Sequence, residues 1–295
     1  MGMEEQSDFS KHQVGTLYLV PTPIGNLDDM TMRAVHVLNE ADLIAAEDTR
    51  HTKMLLNHFS IDTREISFHE HNTEQRIPEL ITKLESGMTI AQCSDAGMPS
   101  ISDPGKELVA AAIDHQIPVV PLPGANAGIT ALIASGLAPQ PFYFYGFLDR
   151  KPQQQEKELT ALIDRPETMI FYEAPHRLKK TLKVMSKVFG DQRRAVLARE
   201  LTKRYEEFLR GTLAELVEWA EHDQIRGEFV VLVGGNNHPA AANDEEAVLS
   251  VDEQIALAIK DGLKPNAAIK KVAKSNGLNR QELYRHYHHL DGGSK

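Results

Sequence analysis

Residues 16–31, TLYLVPTPIGNLDDMT, contain the pattern on which the fold prediction depends. The apolar run at 16–20 has the length of one buried strand, and proline and glycine stiffen the loop at 21–30 that follows it. Thr31 can then cap a helix over residues 31–39. A strand, a tight loop and a helix are the unit that the following residues repeat.

The same alternation continues along the chain. Short apolar runs recur at 43–46, 66–68, 89–93 and 118–122, and helical patterns lie between or after them at 52–58, 76–85 and 127–135. Apolar strands joined through helices predict a parallel sheet that is covered on both faces and binds ligands at the carboxyl ends of its strands. The predicted fold class is therefore α/β.

Changes of pattern predict the domain organisation. An aromatic strand at 142–147 leads into a polar break at 149–155, after which further apolar runs at 169–172 and 229–233 indicate a second α/β domain. Residues 234–246 are rich in Gly, Asn and Ala, as in a flexible tether, and two or three short helices follow at 252–260, 267–275 and 280–289. The predicted parts are a disordered tail at 1–14, an N-terminal α/β domain at 15–150, a second α/β domain at 151–236, a linker at 237–250 and a C-terminal helix-turn-helix-like module at 251–291.

Composition excludes several classes of protein. The longest apolar stretches are far shorter than the roughly 20 residues of a membrane span, and the first residues are polar, without the apolar segment of a secretory signal. Cys93 is the only cysteine, so no intrachain disulfide can form. These observations predict a cytoplasmic protein.

The charge is unevenly distributed. The whole chain carries a net charge of −10, but residues 251–295 contain eight Lys or Arg against five acids, which leaves +3 there and −13 in the rest. A basic segment on an acidic body favours contact with a polyanion. A solvated helical face, or a module that serves dimerisation or stability, is the alternative.

Three glycine-bearing loops follow predicted strands: 21–30, 94–105 (SDAGMPSISDPG) and 122–128 (LPGANAG). Small residues allow a flat ligand to approach the backbone, and the carboxylates of the second loop can accept hydrogen bonds from a ribose or an ammonium group. Neither a phosphate-binding P-loop nor a G-x-G-x-x-G motif is present, and no Cys/His spacing indicates a metal site. A binding cleft without a metal is therefore predicted.

Polar clusters follow the other strands at 46–51, 68–72, 171–177 and 198–206. Their position at strand ends favours a role in the same cleft. Each cluster mixes acids with bases, and structural ion pairing explains such mixtures equally well. The residues themselves leave both interpretations open.

These motifs together resemble the tetrapyrrole methylase superfamily, and in particular its ribosomal RNA methyltransferases. The resemblance covers residues 14–235 through VPTPIGNL (20–27), AEDTR (46–50), SDAGMPSISDPG (94–105), FYEAPHR (171–177) and RELTK (199–203). It implies two α/β domains with S-adenosyl-L-methionine in the cleft between them and a homodimer. It also implies 2′-O-methylation of a cytidine in the decoding region of 16S rRNA, free or within the 30S subunit.

The resemblance also implies which residues contact the cofactor, while residue type and position suggest the candidates for catalysis and RNA binding. The expected cofactor contacts are Pro23, Ile24, Gly25, Ser94, Asp95, Ala96, Gly97, Met98, Pro99, Asn126, Ala127, Glu173 and Leu201. The candidates for removing the hydroxyl proton or stabilising the alkoxide are Asp95, Glu173, Glu200 and Lys203. The candidates for binding RNA are Glu47, Asp48, Arg50, His69, His71, Asn72, His176 and Arg177.

The basic C-terminal helices are expected to contact rRNA phosphates through Lys264, Lys270, Lys271, Lys274, Arg280 and Arg285. Two other functions fit the same features. One is methylation of a tetrapyrrole ring, which the superfamily resemblance alone permits. The other is a helix-turn-helix protein that senses a small ligand without turnover.

Overall fold

A computed structural model describes residues 14–236, 250–260, 263–276 and 278–287. Nearly all of the predicted tail at 1–14 and of the predicted linker at 237–250 lies outside these ranges, as do residues 288–291 of the predicted C-terminal module. The described residues up to 236 belong to one compact unit and those from 250 onward to a second.

The first half of the larger unit contains a parallel sheet of five strands in the order β3-β2-β4-β1-β5. The strands are β1 (Leu17–Leu19), β2 (Leu43–Ala46), β3 (Glu65–Ser67), β4 (Ile90–Cys93) and β5 (Val119–Pro121). The helices are α1 (Met32–Glu40), α2 (Thr49–His58), α3 (Thr73–Glu85), α4 (Lys106–Asp114) and α5 (Ala127–Ser135). The predicted alternation is confirmed, and α4 is a helix that the sequence pattern had not indicated.

The second half contains a mixed sheet in the order β6-β7-β10-β8-β9, in which only β6 and β7 are parallel. Its strands are β6 (Phe142–Phe147), β7 (Thr168–Glu173), β8 (Arg194–Arg199), β9 (Glu207–Thr212) and β10 (Phe229–Val233). Its helices are α6 (Pro152–Thr160), α7 (Pro175–Phe189) and α8 (Leu213–His222).

The predicted break at 149–155 needs a correction. Helix α6 begins inside it, with Pro152 in the first turn, where the missing N–H of proline has no cost. Strand β6, which precedes the predicted boundary at 150/151, pairs with β7 of the second sheet. The division of residues 15–236 into two domains at that position stays a prediction.

Alternate residues of the strands enter different cores. In β2, Ile44 and Ala46 pack on one face of the first sheet, while Leu43 and Ala45 pack on the other. Both faces of this sheet are therefore covered, as its continuous apolar strands predict. Within the described ranges, no helix combines the length and apolar character that crossing a membrane requires.

The two halves share a core through α5. Ala131 and Leu132 of this helix pack against Ile170 and Leu232 of the second sheet, although α5 directly follows the last strand of the first sheet. The loop before α5 is therefore held between the two sheets, which places the start of this helix close to the strand ends of both.

The smaller unit consists of helices α9 (Val251–Lys260), α10 (Pro265–Ser275) and α11 (Arg280–Tyr287). Their apolar sides meet in a small core that includes Ile255, Ile269 and Leu283. The Asn276 side-chain amide also donates to Gln254 Oε1 over 2.8 Å, which connects the end of α10 to α9. The prediction of short C-terminal helices is confirmed.

Candidate active site

The three glycine-bearing loops pack against one another at one edge of the first sheet. Their strands, β4, β1 and β5, are neighbours, and parallel strands bring their carboxyl ends to one edge. Thr22 and Gly97 exchange two backbone hydrogen bonds of 3.0 Å, which join the first loop to the second. A Cβ atom at Gly124 would approach Pro21 Cβ to 2.5 Å, so the third loop also requires its glycine.

The loop at 94–105 is held by a side chain of the preceding strand. Buried Gln92 donates from Nε2 to the carbonyl oxygen of Pro104 over 2.8 Å, which closes the loop near its end. A Cβ atom at Gly105 would lie only 2.0 Å from the same nitrogen. The tight packing requires a glycine, and Gly105 indeed has a φ of +143°.

A cavity of about 600 Å³ lies between these loops and the strand ends of the second sheet, a volume typical of small-molecule sites. Nine of the thirteen predicted cofactor contacts line it: Ile24, Asp95, Ala96, Gly97, Met98, Asn126, Ala127, Glu173 and Leu201. The other four, Pro23, Gly25, Ser94 and Pro99, belong to the same loops but do not line the cavity. The roles of all thirteen stay predictions.

Carboxylates cluster on the first-sheet wall of the cavity. Asp95 N–H donates to Glu47 Oε2, and Asp48 N–H donates to Asp95 Oδ1, each over 3.1 Å. These two hydrogen bonds hold the loop after β4 to the loop after β2. Asp103, from the far end of the loop at 94–105, lines the same cavity.

The pKa values of this wall reflect burial first and the crowding of like charges second. Burial raises the pKa of Glu47; the Asp95 N–H opposes this shift, and the charges of Asp103 and Asp95 add to it. Burial also raises the pKa of Asp103; the nearby Ser94 hydroxyl opposes this shift, and the charge of Asp95 adds to it. The wall is therefore arranged at an energetic cost, as is common at functional sites.

One histidine approaches this cluster. His51 lies on helix α2, which Asp48 caps, and its Nδ1 is 3.3 Å from Asp95 Oδ2. The two oxygens of the Asp95 carboxylate thus have different partners, an N–H group on one side and an imidazole on the other. This arrangement orients the carboxylate at the cavity.

The opposite wall holds its carboxylate in a saturated pair. Glu173 is buried, with a side chain 1% exposed, and its Oε1 lies 3.1 Å from Arg177 Nε. Its Oε2 accepts from the Thr181 hydroxyl over 2.5 Å, and its Oε1 also accepts from the Ala174 N–H. Both carboxylate oxygens are occupied, which favours a positioning role over proton transfer.

A second paired group lies in the loop after β8. Lys203 Nζ lies 3.0 Å from Glu200 Oε1 and 3.1 Å from Glu228 Oε2. Burial raises the pKa of Glu200, but the Glu228 N–H and Lys203 outweigh this and lower it. Neither Glu200 nor Lys203 lines the cavity, whereas Leu201 between them does.

This loop has a strained backbone. Glu200 and Thr202 have φ values of +51° and +64°, which non-glycine residues rarely adopt. The Glu200 carboxylate accepts a hydrogen bond of 2.9 Å from the Glu228 N–H, and this bond holds the strained turn to the residue that precedes β10. The strain and the hydrogen bond together position Leu201 at the cavity.

The predicted RNA-binding residues are spread over several places. Glu47 lines the cavity, and Arg177 pairs with Glu173. Asp48 and Arg50 form an exposed pair of 2.6 Å at the start of α2. The remaining four, His69, His71, Asn72 and His176, lie in the turn after β3 and at the start of α7 and do not line the cavity.

Several lining residues were absent from the prediction: Ile101, Ser102, Asp103, Phe147, Tyr172, Ala174, Pro175, Ala198, Glu228, Phe229 and Val230. The first three belong to the loop at 94–105, which the sequence pattern had already predicted to bind a ligand. Phe229 and Val230 begin β10, which is antiparallel to its neighbours and pairs Phe229 with both Glu173 and Arg199. The start of β10 therefore lies beside the ends of β7 and β8, which no parallel-sheet pattern predicts.

A ligand-sized cavity bordered by the strand ends of two sheets is typical of enzymes that bind small ligands. The chain belongs to the family of tetrapyrrole (corrin/porphyrin) methylases, whose model matches residues 16–217. It is accordingly a methyltransferase, and the predicted fold and family are confirmed.

Curated relatives match nearly the whole chain. A protein of Streptococcus pyogenes serotype M18 (strain MGAS8232) is 55% identical over 98% of this chain and 100% of its own length. One of Bacillus subtilis (strain 168) is 52% identical over 97% of this chain and 99% of its own length. Both are named ribosomal RNA small subunit methyltransferase I.

Solved structures share the fold at low identity. A cobalt precorrin-4 methyltransferase has a TM-score of 0.57 at 18% identity, covering 74% of this chain and 94% of its own. A uroporphyrin-III C-methyltransferase of Thermus thermophilus, solved in complex with S-adenosyl homocysteine, has a TM-score of 0.54 at 17% identity, covering 75% of this chain and 97% of its own. These similarities establish the architecture of the larger unit.

Proposed function

We propose that the protein transfers a methyl group from S-adenosyl-L-methionine to the ribose 2′-hydroxyl of a cytidine in the decoding region of 16S rRNA. The observation that carries this proposal is the similarity, over nearly the full chain, to relatives named ribosomal RNA small subunit methyltransferase I. The RNA, the ribose hydroxyl and the cytidine are part of the proposal for this chain.

The cavity suits the cofactor. S-adenosyl-L-methionine carries a positive sulfonium and an ammonium group, and Glu47, Asp95 and Asp103 supply negative charge on one wall. Apolar side chains of the cavity, such as Ile24 and Leu201, supply a surface for the adenine ring. Binding a cation would relieve the repulsion among the carboxylates and lower the raised pKa values of Glu47 and Asp103.

When bound, S-adenosyl-L-methionine supplies an electrophilic methyl group on a positively charged sulfur. The chain must align the ribose hydroxyl with it and accept the hydroxyl proton as the C–O bond forms and the methyl–sulfur bond breaks, leaving a neutral thioether. Of the four predicted catalytic residues, Asp95 and Glu173 line the cavity, and the Asp95 side chain is the accessible one, at 36% exposed against 1% for Glu173. We therefore assign proton removal to Asp95 and positioning roles to Glu173, Glu200 and Lys203.

The smaller unit offers a surface for RNA phosphates. The six predicted phosphate contacts, Lys264, Lys270, Lys271, Lys274, Arg280 and Arg285, are all exposed, and none is in an ion pair with another described residue. Replacing Lys270, Lys271 and Lys274 by alanine should weaken RNA binding and reduce the slope of log Kd against log salt by about 2 to 3. Filter binding across a salt series measures both, and an unchanged slope would remove this unit from the RNA interface.

Homodimer formation and a cytoplasmic location belong to the same proposal. Ile129 and Ile133, one turn apart on α5, are 40% and 76% exposed, which supports self-association through that helix. Sedimentation equilibrium of the wild-type protein and of Ile133→Glu tests the dimer. A wild-type monomer at micromolar concentration would contradict it.

The function is tested by incubating the purified protein with radiolabelled S-adenosyl-L-methionine and 30S subunits from a strain that lacks this gene. Label confined to one ribose of the decoding region, located by nuclease digestion, is the expected result. Free 16S rRNA in parallel distinguishes the two possible substrates. Cofactor binding without transfer to either RNA would instead favour a tetrapyrrole substrate.

A further inference from the structure

One exposed aromatic side chain lies between the cavity and a neighbouring open groove. Phe147, the last residue of β6, is 56% exposed and lines both. Its ring stands 5.5 Å from that of Tyr172, at an angle of 66°. A single exposed apolar side chain is common on protein surfaces, but this one borders both the cavity and the groove, where a bound ligand could cover its ring.

A bulge in β6 determines the face of the sheet on which the Phe147 side chain lies. The register between β6 and β7 shifts between Phe144 and Gly146, where a bulge adds one residue, and Gly146 has a φ of +84°. In a regular strand Phe144 and Phe147 would point to opposite faces of the sheet. The bulge places both on one face, with Phe147 directly opposite Tyr172 in the register.

The groove beyond Phe147 presents cations on a fixed loop. Arg177 Nη2 donates to the carbonyl oxygens of Leu148 (2.9 Å) and Asp149 (3.0 Å). These hydrogen bonds connect the loop after β6 to the buried ion pair of Arg177 with Glu173. Arg150 and Lys151, which line the groove, are exposed and form no ion pair with any described residue.

The acids of the groove are engaged with the backbone. Asp149 Oδ1 accepts from the Lys151 N–H over 2.6 Å, and Glu158 Oε2 accepts from the Asp149 N–H over 2.9 Å. These two hydrogen bonds hold the loop that carries the cations. The exposed side chains of Arg150 and Lys151 thus remain available to a ligand, next to an aromatic face.

We propose that Phe147 is a stacking platform for an unstacked RNA base next to the methylated ribose, and that Arg150 and Lys151 bind the adjoining phosphates. Proteins read single-stranded RNA by stacking bases on aromatic rings and by pairing cations with the backbone. A nucleotide that leaves the helical stack to bring its ribose hydroxyl to the cavity exposes its base, and that base then needs a partner. This inference rests on the proposed function.

The first test replaces Phe147 by alanine and by tryptophan in the full-length protein. Phe142→Ala is the matched control, because Phe142 lies on the same strand, is 41% exposed and lines neither the cavity nor the groove. Stacking on an aromatic ring predicts that Phe147→Ala lowers kcat/KM for 30S subunits about tenfold or more, with tryptophan retaining most of the activity. The calorimetric Kd for S-adenosyl-L-methionine should change less than about twofold.

Two results would overturn the platform: full activity of Phe147→Ala, or an equal loss of cofactor affinity, which would make Phe147 part of the cofactor site. Failure of the wild-type protein to methylate any RNA would instead defeat the proposed function, and the platform with it. The comparison of variant with wild type thus separates the two failures.

The second test removes the cations. Arg150→Ala with Lys151→Ala should raise KM for 30S subunits and reduce its salt dependence, while the charge-matched pair Lys157→Ala with Lys180→Ala, exposed on α6 and α7 outside the groove, should not. A similar change in both double variants would reflect net charge alone and would overturn the assignment of phosphate binding to this groove.

Discussion

The two walls of the cavity hold their negative charge in opposite ways. On the first-sheet wall, Glu47, Asp95 and Asp103 lie near one another, and His51 is the one basic side chain that the described residues place in an ion pair with them. On the second-sheet wall, Glu173 pairs with Arg177, and Glu200, which does not itself line the cavity, pairs with Lys203 in the loop that holds Leu201 there.

The difference shows in the pKa values. Burial and like charges raise the pKa of Glu47 on the first wall. In the loop behind Leu201 of the second wall, burial raises the pKa of Glu200, but hydrogen bonds from the Glu228 N–H and Lys203 outweigh it and lower that pKa. Carboxylates whose oxygens are all paired with cations or hydrogen-bond donors stabilise the fold. Carboxylates whose pKa is raised by burial and like charges are suited to binding a ligand or a proton. The first wall is therefore the chemical wall and the second is the scaffold.

The largest expected effect comes from breaking the scaffold. Arg177→Ala leaves the Glu173 carboxylate, whose side chain is 1% exposed, without its cation, which should lower the free energy of unfolding by about 3 kcal/mol. Urea denaturation of the cofactor-free protein measures this. Lys187→Ala on the same helix is the control, because its pair with Glu156 is exposed and should contribute less than about 1 kcal/mol. Equal losses in the two variants would contradict the scaffold role of the buried pair.

The next effect concerns the chemical wall. Asp95→Asn removes the proposed proton acceptor and should lower the single-turnover rate of methyl transfer about a hundredfold or more, with a smaller change in the cofactor Kd. Glu200→Gln is the matched control: its carboxylate was also a catalytic candidate, but it does not line the cavity. We expect the control to retain the rate within a few fold. The reverse ranking of the two variants would move proton transfer to the second wall.

The sequence predicts the first wall better than the second. Ile24, Asp95 and Asn126 follow parallel strands, and the rule that ligands bind at the carboxyl ends of such strands places them at one edge. Phe229 and Val230 were missed because β10 runs antiparallel, which depends on contacts between distant segments. The residues of a strand do not by themselves determine whether it runs parallel or antiparallel to its neighbours.

Partners were also beyond the reach of the sequence. Glu200 and Lys203 appear as a polar cluster after a strand, and the pattern cannot show that they pair with each other and with Glu228. The exposure of Phe147 depends on a bulge at Gly146, and a glycine in an aromatic strand does not by itself reveal which face the next side chain takes. The sequence shows which loops carry charged residues. Which of these residues pair with each other, and on which face of a sheet a side chain lies, can be seen only in the fold.

The smallest expected effect is a gain in stability on the chemical wall. Because burial and neighbouring carboxylates raise the pKa of Glu47 above its ordinary value of 4.5, the folded protein binds that proton more tightly than the unfolded chain does. The resulting stabilisation is present in acid and is lost as the pH rises through the folded-state pKa. Glu47→Gln, which can still accept the Asp95 N–H, should therefore raise the Tm at pH 7.5 by about 1 to 3 °C and give little gain at pH 4. Differential scanning calorimetry at the two pH values checks the sign, and a lower Tm for Glu47→Gln at pH 7.5 would show that the carboxylate stabilises the apo fold, against the division between the two walls.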